Sequence, residues 1–380
     1  MAPGVVPPGP RAGKLRPAAN KALLIHRPTI SEEESLLRPA RFLLAFLTVG
    51  LLAACGGYGG VVTSATPTPF PTLAPRVTAE YKIPTVKSQP EGIVLGADGN
   101  LWFTEFAASK IGQLNTAGKI SENVTPSSKS TPNGIASGPG PSLNLWFTET
   151  NVSKVGQITI LGPPYNEYTL PDTTARPVGI ALGGDGNMWM TDPGTNSIWR
   201  VQQIKKKPFV KFTQYHLTGN AQPLAITNGP DGALWFTEPG TNHIGRLPIG
   251  GGSLTEYKIP TPGSMPVGIA PGTDNALWFT EQKGRKIGRL AITGKVIAEY
   301  PLNGAMTPDA LVQGIDGNFY FTDTALNKIG QFFPRSHRTR FYGIPTANSA
   351  PTALTLGQDS EVYFVETVGN KLAQFRYFNV

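Results

Sequence analysis

The sequence predicts an all-β fold, a seven-bladed β-propeller of four-stranded blades, on three observations. One unit recurs seven times; each unit breaks into four short β segments; and the two ends of the repeat array each hold part of a unit that the other completes. The composition agrees: 44 Gly and 36 Pro among 380 residues, with 15% charged, favour short strands and tight turns over helices, whose interiors both residues disrupt. The length alone would allow two average domains, but propellers are single domains that exceed the usual size.

The repeating unit, from about Val77 onward, reads "PxGI", a turn such as "DGN", then "LWFTE", then "KIGQL" or "HIGRL", and last "TEYKIPT". Its central aromatics are Trp102, Trp146, Trp189, Trp235, Trp278, Tyr320 and Tyr363, separated by 44, 43, 46, 43, 42 and 43 residues. In the first unit the four segments are Pro90 to Leu95, Leu101 to Glu105, Lys110 to Leu114 and Ile120 to Val124. Asp98-Gly99, Asp185-Gly186, Asp231-Gly232 and Asp316-Gly317 stand between the first two segments, where a two-residue hairpin needs positive φ. The second segment is almost continuously apolar, as expected of a strand covered on both faces by neighbouring blades. A leucine-rich solenoid of similar period would need a leucine ladder, which the sequence lacks.

The last unit stops at its third strand, Lys371 to Phe375, while an orphan fourth strand, Ala79 to Pro84, precedes the first. The N-terminal strand is therefore expected to complete the last blade and close the ring, removing the free sheet edges that template aggregation.

Ahead of the repeats, Arg38 and Arg41 flank an uncharged apolar stretch from Phe42 to Ala54, short for a membrane span and suited to a signal-peptide core. It ends in Leu52-Ala53-Ala54-Cys55, similar to a bacterial lipobox, so Cys55 is the expected lipidation site. As the single cysteine, it also excludes an intramolecular disulfide and a thiolate metal cluster. Residues 1–37 are longer and richer in proline than a usual signal n-region and read as an over-extended gene start. The expected organisation is an extended N-terminus with signal peptide over 1–54, a lipidated cysteine with a Gly/Thr/Pro-rich tether over 55–76, and the propeller over 77–380. This places the protein outside the cytoplasm, as a monomer touching the membrane through its lipid anchor only.

The formal charge of +8 is not a nucleic-acid signal. Residues 1–54 hold seven Lys/Arg and three Asp/Glu, leaving 26 basic and 22 acidic residues, or +4, for the rest. The only basic run, Lys205 to Lys207, lacks interleaved aromatics and reads as a solvated hairpin tip.

The combination of "GI", "DG", "LWFTE", "KIG" and "TEYKIP" over residues 77–380 resembles the virginiamycin B (streptogramin B) lyase family in every blade. The resemblance implies a seven-bladed propeller whose members open the lactone ring of streptogramin B antibiotics by elimination, using magnesium and a histidine base at one mouth of the channel. In that family one late blade begins Pro-His and the next Glu-Pro-His, and the Glu ending the second strand of that last blade also binds the metal. Here the sixth blade begins Pro308-Asp309 and the seventh Ala350-Pro351-Thr352, so only Glu366 matches, as a candidate magnesium ligand. The seven equivalent mouth positions are Glu91, Asn133, Val178, Leu224, Val267, Asp309 and Thr352, and none is histidine. Nor do His26, His216, His243 and His337 show metal-ligand spacing.

Strand direction puts the mouth positions and the acidic ends of the second strands, Glu105, Glu149, Asp192, Glu238, Glu281, Asp323 and Glu366, at one mouth. Kept in all seven blades, these carboxylates are expected to tie down their own loop backbones, whereas a site needs asymmetry. The asymmetry lies in the mouth positions: Asp309, Thr352, Glu91 and Asn133 fall on contiguous blades and form a polar arc opposite an apolar one. Hard cations could use that arc with Glu366 and Glu105. The expected function is a surface-tethered module that binds a small molecule or a protein at this mouth. The alternatives are a streptogramin B lyase working with substituted carboxylates, and a metal-dependent lactone hydrolase of the gluconolactonase type.

Overall fold

The computed structural model describes residues 74–140, 144–250, 252–293, 297–304 and 306–377; Cys55 and the signal-like stretch lie outside them. Blade 1 consists of β2 (Pro90–Leu95), β3 (Leu101–Glu105), β4 (Lys110–Leu114) and β5 (Ile120–Val124), with the bounds that the turn signals set. Six further four-stranded antiparallel sheets repeat it. Among the described residues the sole helical element is a 3₁₀ turn at Thr150–Val152.

The first strands of the seven blades touch in a closed ring, blade 1 meeting blades 2 and 7. The ring is sealed by β1 (Arg76–Lys82), which pairs antiparallel with the C-terminal strand Lys371–Arg376 of blade 7. β1 begins three residues before the expected Ala79, because a register shift between Val77 and Ala79 lets Arg76 reach Arg376.

One end of the propeller, the mouth, carries the starts of the first and third strands. The other, the turn end, carries the first-to-second and third-to-fourth strand hairpins. The "DG" hairpins there are one residue longer than the two-residue turn expected. The amide of Gly99 donates to the Gly96 carbonyl at 3.0 Å and the amide of Gly96 to that of Asn100 at 2.8 Å, enclosing three residues. Gly99 holds φ at 75°, the left-handed residue that follows a type I turn in such loops. Asp98 accepts from the Asn100 amide and from the indole Nε1–H of Trp102, linking turn chemistry to the core.

The core lies between blades. Trp235 of blade 4 is buried with Ile269, Leu277 and Phe279 of blade 5, and the same offset recurs around the ring. All five second-strand tryptophans and Tyr320 are buried, and truncating such a side chain costs about 3–5 kcal/mol.

Candidate functional site

A bulge builds each mouth position. Pro90 pairs with Glu105 and Ile93 with Phe103, so Glu91 and Gly92 together oppose Thr104. The same irregularity precedes Ile135, Ile269, Leu311 and Leu354. Thr104 locks it: its hydroxyl oxygen accepts from the Gly92 amide at 2.8 Å, and its hydroxyl donates to the Asn133 carbonyl of the next blade at 2.6 Å. The glycine of "PxGI" follows from this contact, since a Cβ on Gly92 would lie 2.5 Å from the Asn133 carbonyl oxygen. Thr148, Thr191, Thr237, Thr280 and Thr322 likewise donate to the backbone carbonyls of Val178, Leu224, Val267, Asp309 and Thr352. Blade 7 departs from the pattern. Val365 stands at the threonine position, and Thr367 instead donates to the Pro90 carbonyl at 2.7 Å while facing the Thr352 hydroxyl at 2.8 Å.

Within this frame Glu91 and Asp309 are partly exposed and lie on blades 1 and 6, with blade 7 and its Thr352 between them. Burial, and then the negative charge of Asp309, push the Glu91 carboxyl up to about 7. Burial pushes Asp309 up to about 6. Neither carboxylate has a basic partner among the ion pairs of the described residues. Asn133 continues the polar arc on blade 2, and Val178, Leu224 and Val267 form the facing apolar arc on blades 3 to 5. The structure thus brings together Glu91, Asp309 and Thr352, with Asn133 beside them.

Glu105 and Glu366 belong to a different environment. Both are fully buried. Glu105 faces Glu122, Lys110 and Ser88, and Glu366 faces Glu80, Ser349 and Lys371, so both side chains run outward along the blade toward its fourth strand. Glu149 and Glu281 repeat the arrangement with Glu167 and Lys154, and with Glu299 and Lys286. Burial and the neighbouring glutamate push Glu105, Glu149 and Glu281 up to about 8, and Glu366 up to about 7. In the outer glutamates burial is outweighed: Glu122 is held below its ordinary range by hydrogen bonds from Thr85 and by Lys110.

The expectation that these carboxylates tie down loop backbone holds for the two aspartates. Asp192 accepts from the amides of Arg176 and Gly194 and from the Trp199 indole, and Asp323 from those of Thr307 and Leu326. Four of the glutamates, one methylene longer, reach past the loop to the outer strand, while Glu238 accepts from the Thr241 hydroxyl of its own loop at 2.9 Å. This network was open to sequence reading: the Lys of "KIG" and the Glu of "TEYKIP" recur in phase with the Glu of "LWFTE".

The positions that the family uses for magnesium do not fit a cation here. Ala350 offers no donor, and Glu366 lies in surroundings that favour its neutral form, beside a second glutamate and a lysine. Among the described residues no three His, Cys, Asp or Glu side chains converge. His216 shares a hydrogen bond with Ser197, and His337 packs at a tilt against Tyr300 with centroids 4.4 Å apart. Two cavities open elsewhere, at the turn end. One of 360 Å³ lies between blades 7 and 1 beside Tyr81 and Tyr363; one of 590 Å³ lies between blades 5 and 6 beside Arg289 and Tyr300. Neither uses a mouth position.

Solved structures repeat this architecture. A streptogramin B lyase structure is 33% identical with a TM-score of 0.72, the match covering 79% of this chain and 97% of that one. A catalytically inactive virginiamycin B lyase from Staphylococcus aureus with quinupristin gives the same identity and score, over 80% and 99%. The extracellular domain of a hybrid two-component system from B. thetaiotaomicron, 11% identical with a TM-score of 0.64 over 80% of this chain and 40% of that one, shares the fold alone. The virginiamycin B lyase family model matches residues 74–208 and 204–377, which together span the propeller, and the chain belongs to that family.

Proposed function

We propose that this virginiamycin B lyase-family propeller is a binding module, lipid-anchored through Cys55 outside the cytoplasm, whose mouth takes an amphipathic small molecule bearing a positive charge. The observation that carries the reading is the relation of Glu91 to Asp309: two carboxylates on either side of blade 7, in mutual repulsion and without a basic partner among the described residues. A bound ammonium relieves that repulsion, and Val178, Leu224 and Val267 supply an apolar wall for the rest of the ligand. The same mouth positions lack the histidine base of the family's elimination reaction.

A second reading, that the mouth retains a lactone-opening elimination, is favoured by one observation. Glu91, pushed up to about 7, is tuned to accept a proton near neutral pH. The two readings separate in one experiment. The full chain is incubated with quinupristin and magnesium and the antibiotic followed by chromatography, while hexylammonium is titrated calorimetrically. The binding reading expects quinupristin to stay cyclic and hexylammonium binding to fall at least about tenfold in Glu91→Gln with Asp309→Asn, the loss of roughly 1.4 kcal/mol. Ring opening that Glu91→Gln abolishes establishes the second reading; hexylammonium binding that the double substitution leaves unchanged overturns the first.

A further inference from the structure

The two ends of the propeller differ in chemistry in a way that the mouth does not explain. Six third-to-fourth strand hairpins project from the turn end, and none of their tips contains an Asp or Glu. Two are strongly basic. The blade 3 tip exposes Lys205, Lys206 and Lys207, and the blade 6 hairpin exposes Arg335 and Arg338. None of these five side chains is in an ion pair among the described residues. Acids do stand at this end, but Asp185, Asp231, Asp274 and Glu361 are each held by their own arginine, Arg200, Arg246, Arg289 and Arg376. Asp98, Asp316 and Asp359 also stand there outside any ion pair among the described residues, so the five basic side chains of the tips outnumber the unpaired acids of this end by two.

The same end exposes three large apolar side chains: Leu161 on blade 2 at 86%, Phe209 on blade 3 at 48% and Ile315 on blade 6 at 66%. At the mouth the exposed large apolar residues are three smaller valines, Val86, Val124 and Val368, on blades 7 and 1 and the link between them. Leu161 and Phe209 sit on third-to-fourth strand hairpins of adjoining blades and Ile315 on the first-to-second strand hairpin of blade 6, so no single concave partner site serves all three. A plane does. The chain preceding Ala74 also joins the propeller at this end, since β1 starts opposite Arg376 at the turn end of blade 7. That preceding chain includes the uncharged apolar stretch Phe42 to Ala54.

We propose that the turn end rests on an anionic lipid surface, with Leu161, Phe209 and Ile315 at the headgroup boundary, the basic tips against lipid phosphates, and the mouth turned away from the bilayer. Apolar side chains beside clustered Lys/Arg are the combination that holds proteins in this interface, and each basic residue near such a surface adds to the attraction. The contact is additional to any acyl anchor, and it does not depend on what the mouth binds.

The test uses the full chain with Cys55→Ser, so that no acyl group contributes, and one new cysteine bearing an environment-sensitive dye, either Leu161→Cys at the turn end or Val368→Cys at the mouth. On vesicles of mixed phosphatidylcholine and phosphatidylglycerol the dye at 161 is expected to shift to the blue and to be quenched by nitroxide lipid, while the dye at 368 stays in water. Reversing the three lysines with Lys205→Glu, Lys206→Glu and Lys207→Glu is expected to raise the lipid concentration needed for the 161 shift about a hundredfold or more. Each variant carries a single label at one end of the same protein, and the lysine reversals separate contact of the tips from attachment through the N-terminal segment. A 161 dye that stays aqueous, insertion of the 368 dye, or a 161 shift insensitive to the lysine reversals overturns the proposal. So does a 161 shift on soluble heparin without one on vesicles, which assigns the tips to an acidic polymer.

Discussion

The hydroxyl of Thr280 donates to the backbone carbonyl of Asp309 at 2.5 Å, so blade 5 fixes the backbone of the residue that blade 6 presents to the mouth. The bond is one of a series that runs around the ring and breaks at Val365. Removing it weakens the seam between blades 5 and 6.

Thr280→Val keeps the shape, as blade 7 shows by carrying valine there, and removes the donor. It is expected to lower the unfolding free energy by about 1–2 kcal/mol in urea denaturation, since the Asp309 carbonyl loses its partner. The converse, Val365→Thr, is expected to stabilise by a similar amount by supplying a donor to the Glu91 carbonyl. A destabilised Val365→Thr protein would show that the last seam has no room for the bond.

The paired glutamates predict the pH dependence. Glu105, Glu149 and Glu281 are pushed up to about 8 in the folded protein from an ordinary 4.5, first by burial. Between those values the folded protein retains protons that the unfolded chain has released, so stability falls as pH rises through that window. The outer glutamates Glu80, Glu122, Glu167 and Glu299, held below 4.5, act oppositely and cost stability as pH drops below it. The thermal midpoint is expected to peak at about pH 4.5 and decline toward about pH 8. Glu105→Gln with Glu281→Gln should flatten the decline, and a midpoint rising from pH 5 to 8 would contradict the assignment.

Cells fed a clickable fatty acid should tag the wild-type chain and leave Cys55→Ser untagged, with the wild type in the membrane fraction. Acyl chains at about 0.8 kcal/mol per buried methylene hold such a protein firmly. An untagged, soluble wild-type protein would refute the anchor.

Blade boundaries were legible because Asp-Gly turns and alternating apolar segments recur in phase, and blade 1 keeps the expected bounds of all four strands. The polar arc was legible too, since one repeated position sampled seven times locates Glu91, Thr352 and Asp309 on adjoining blades. What the sequence did not disclose was side-chain direction. Glu105 and Glu91 share one end of blade 1, yet one runs outward to Glu122 while the other faces the channel. Strand register fixes where a side chain starts, and the extra methylene that carries Glu past its loop, where Asp192 stops, is decided by what lies within reach.

The pairing of Arg76 with Arg376 joins positions 300 residues apart, 376 minus 76. The strand that leaves the ribosome first among those of the propeller finds its partner last. Until blade 7 is synthesised, its neighbour in the ring is missing and β1 has no edge to join, so the circle stays open through nearly the whole of translation. Bringing such distant segments together costs loop-closure entropy that is recovered only at the final step. A truncated product therefore lacks a seam as well as a blade, and quality control that recognises unpaired strand edges would meet it as an open ring at every length short of the last strand.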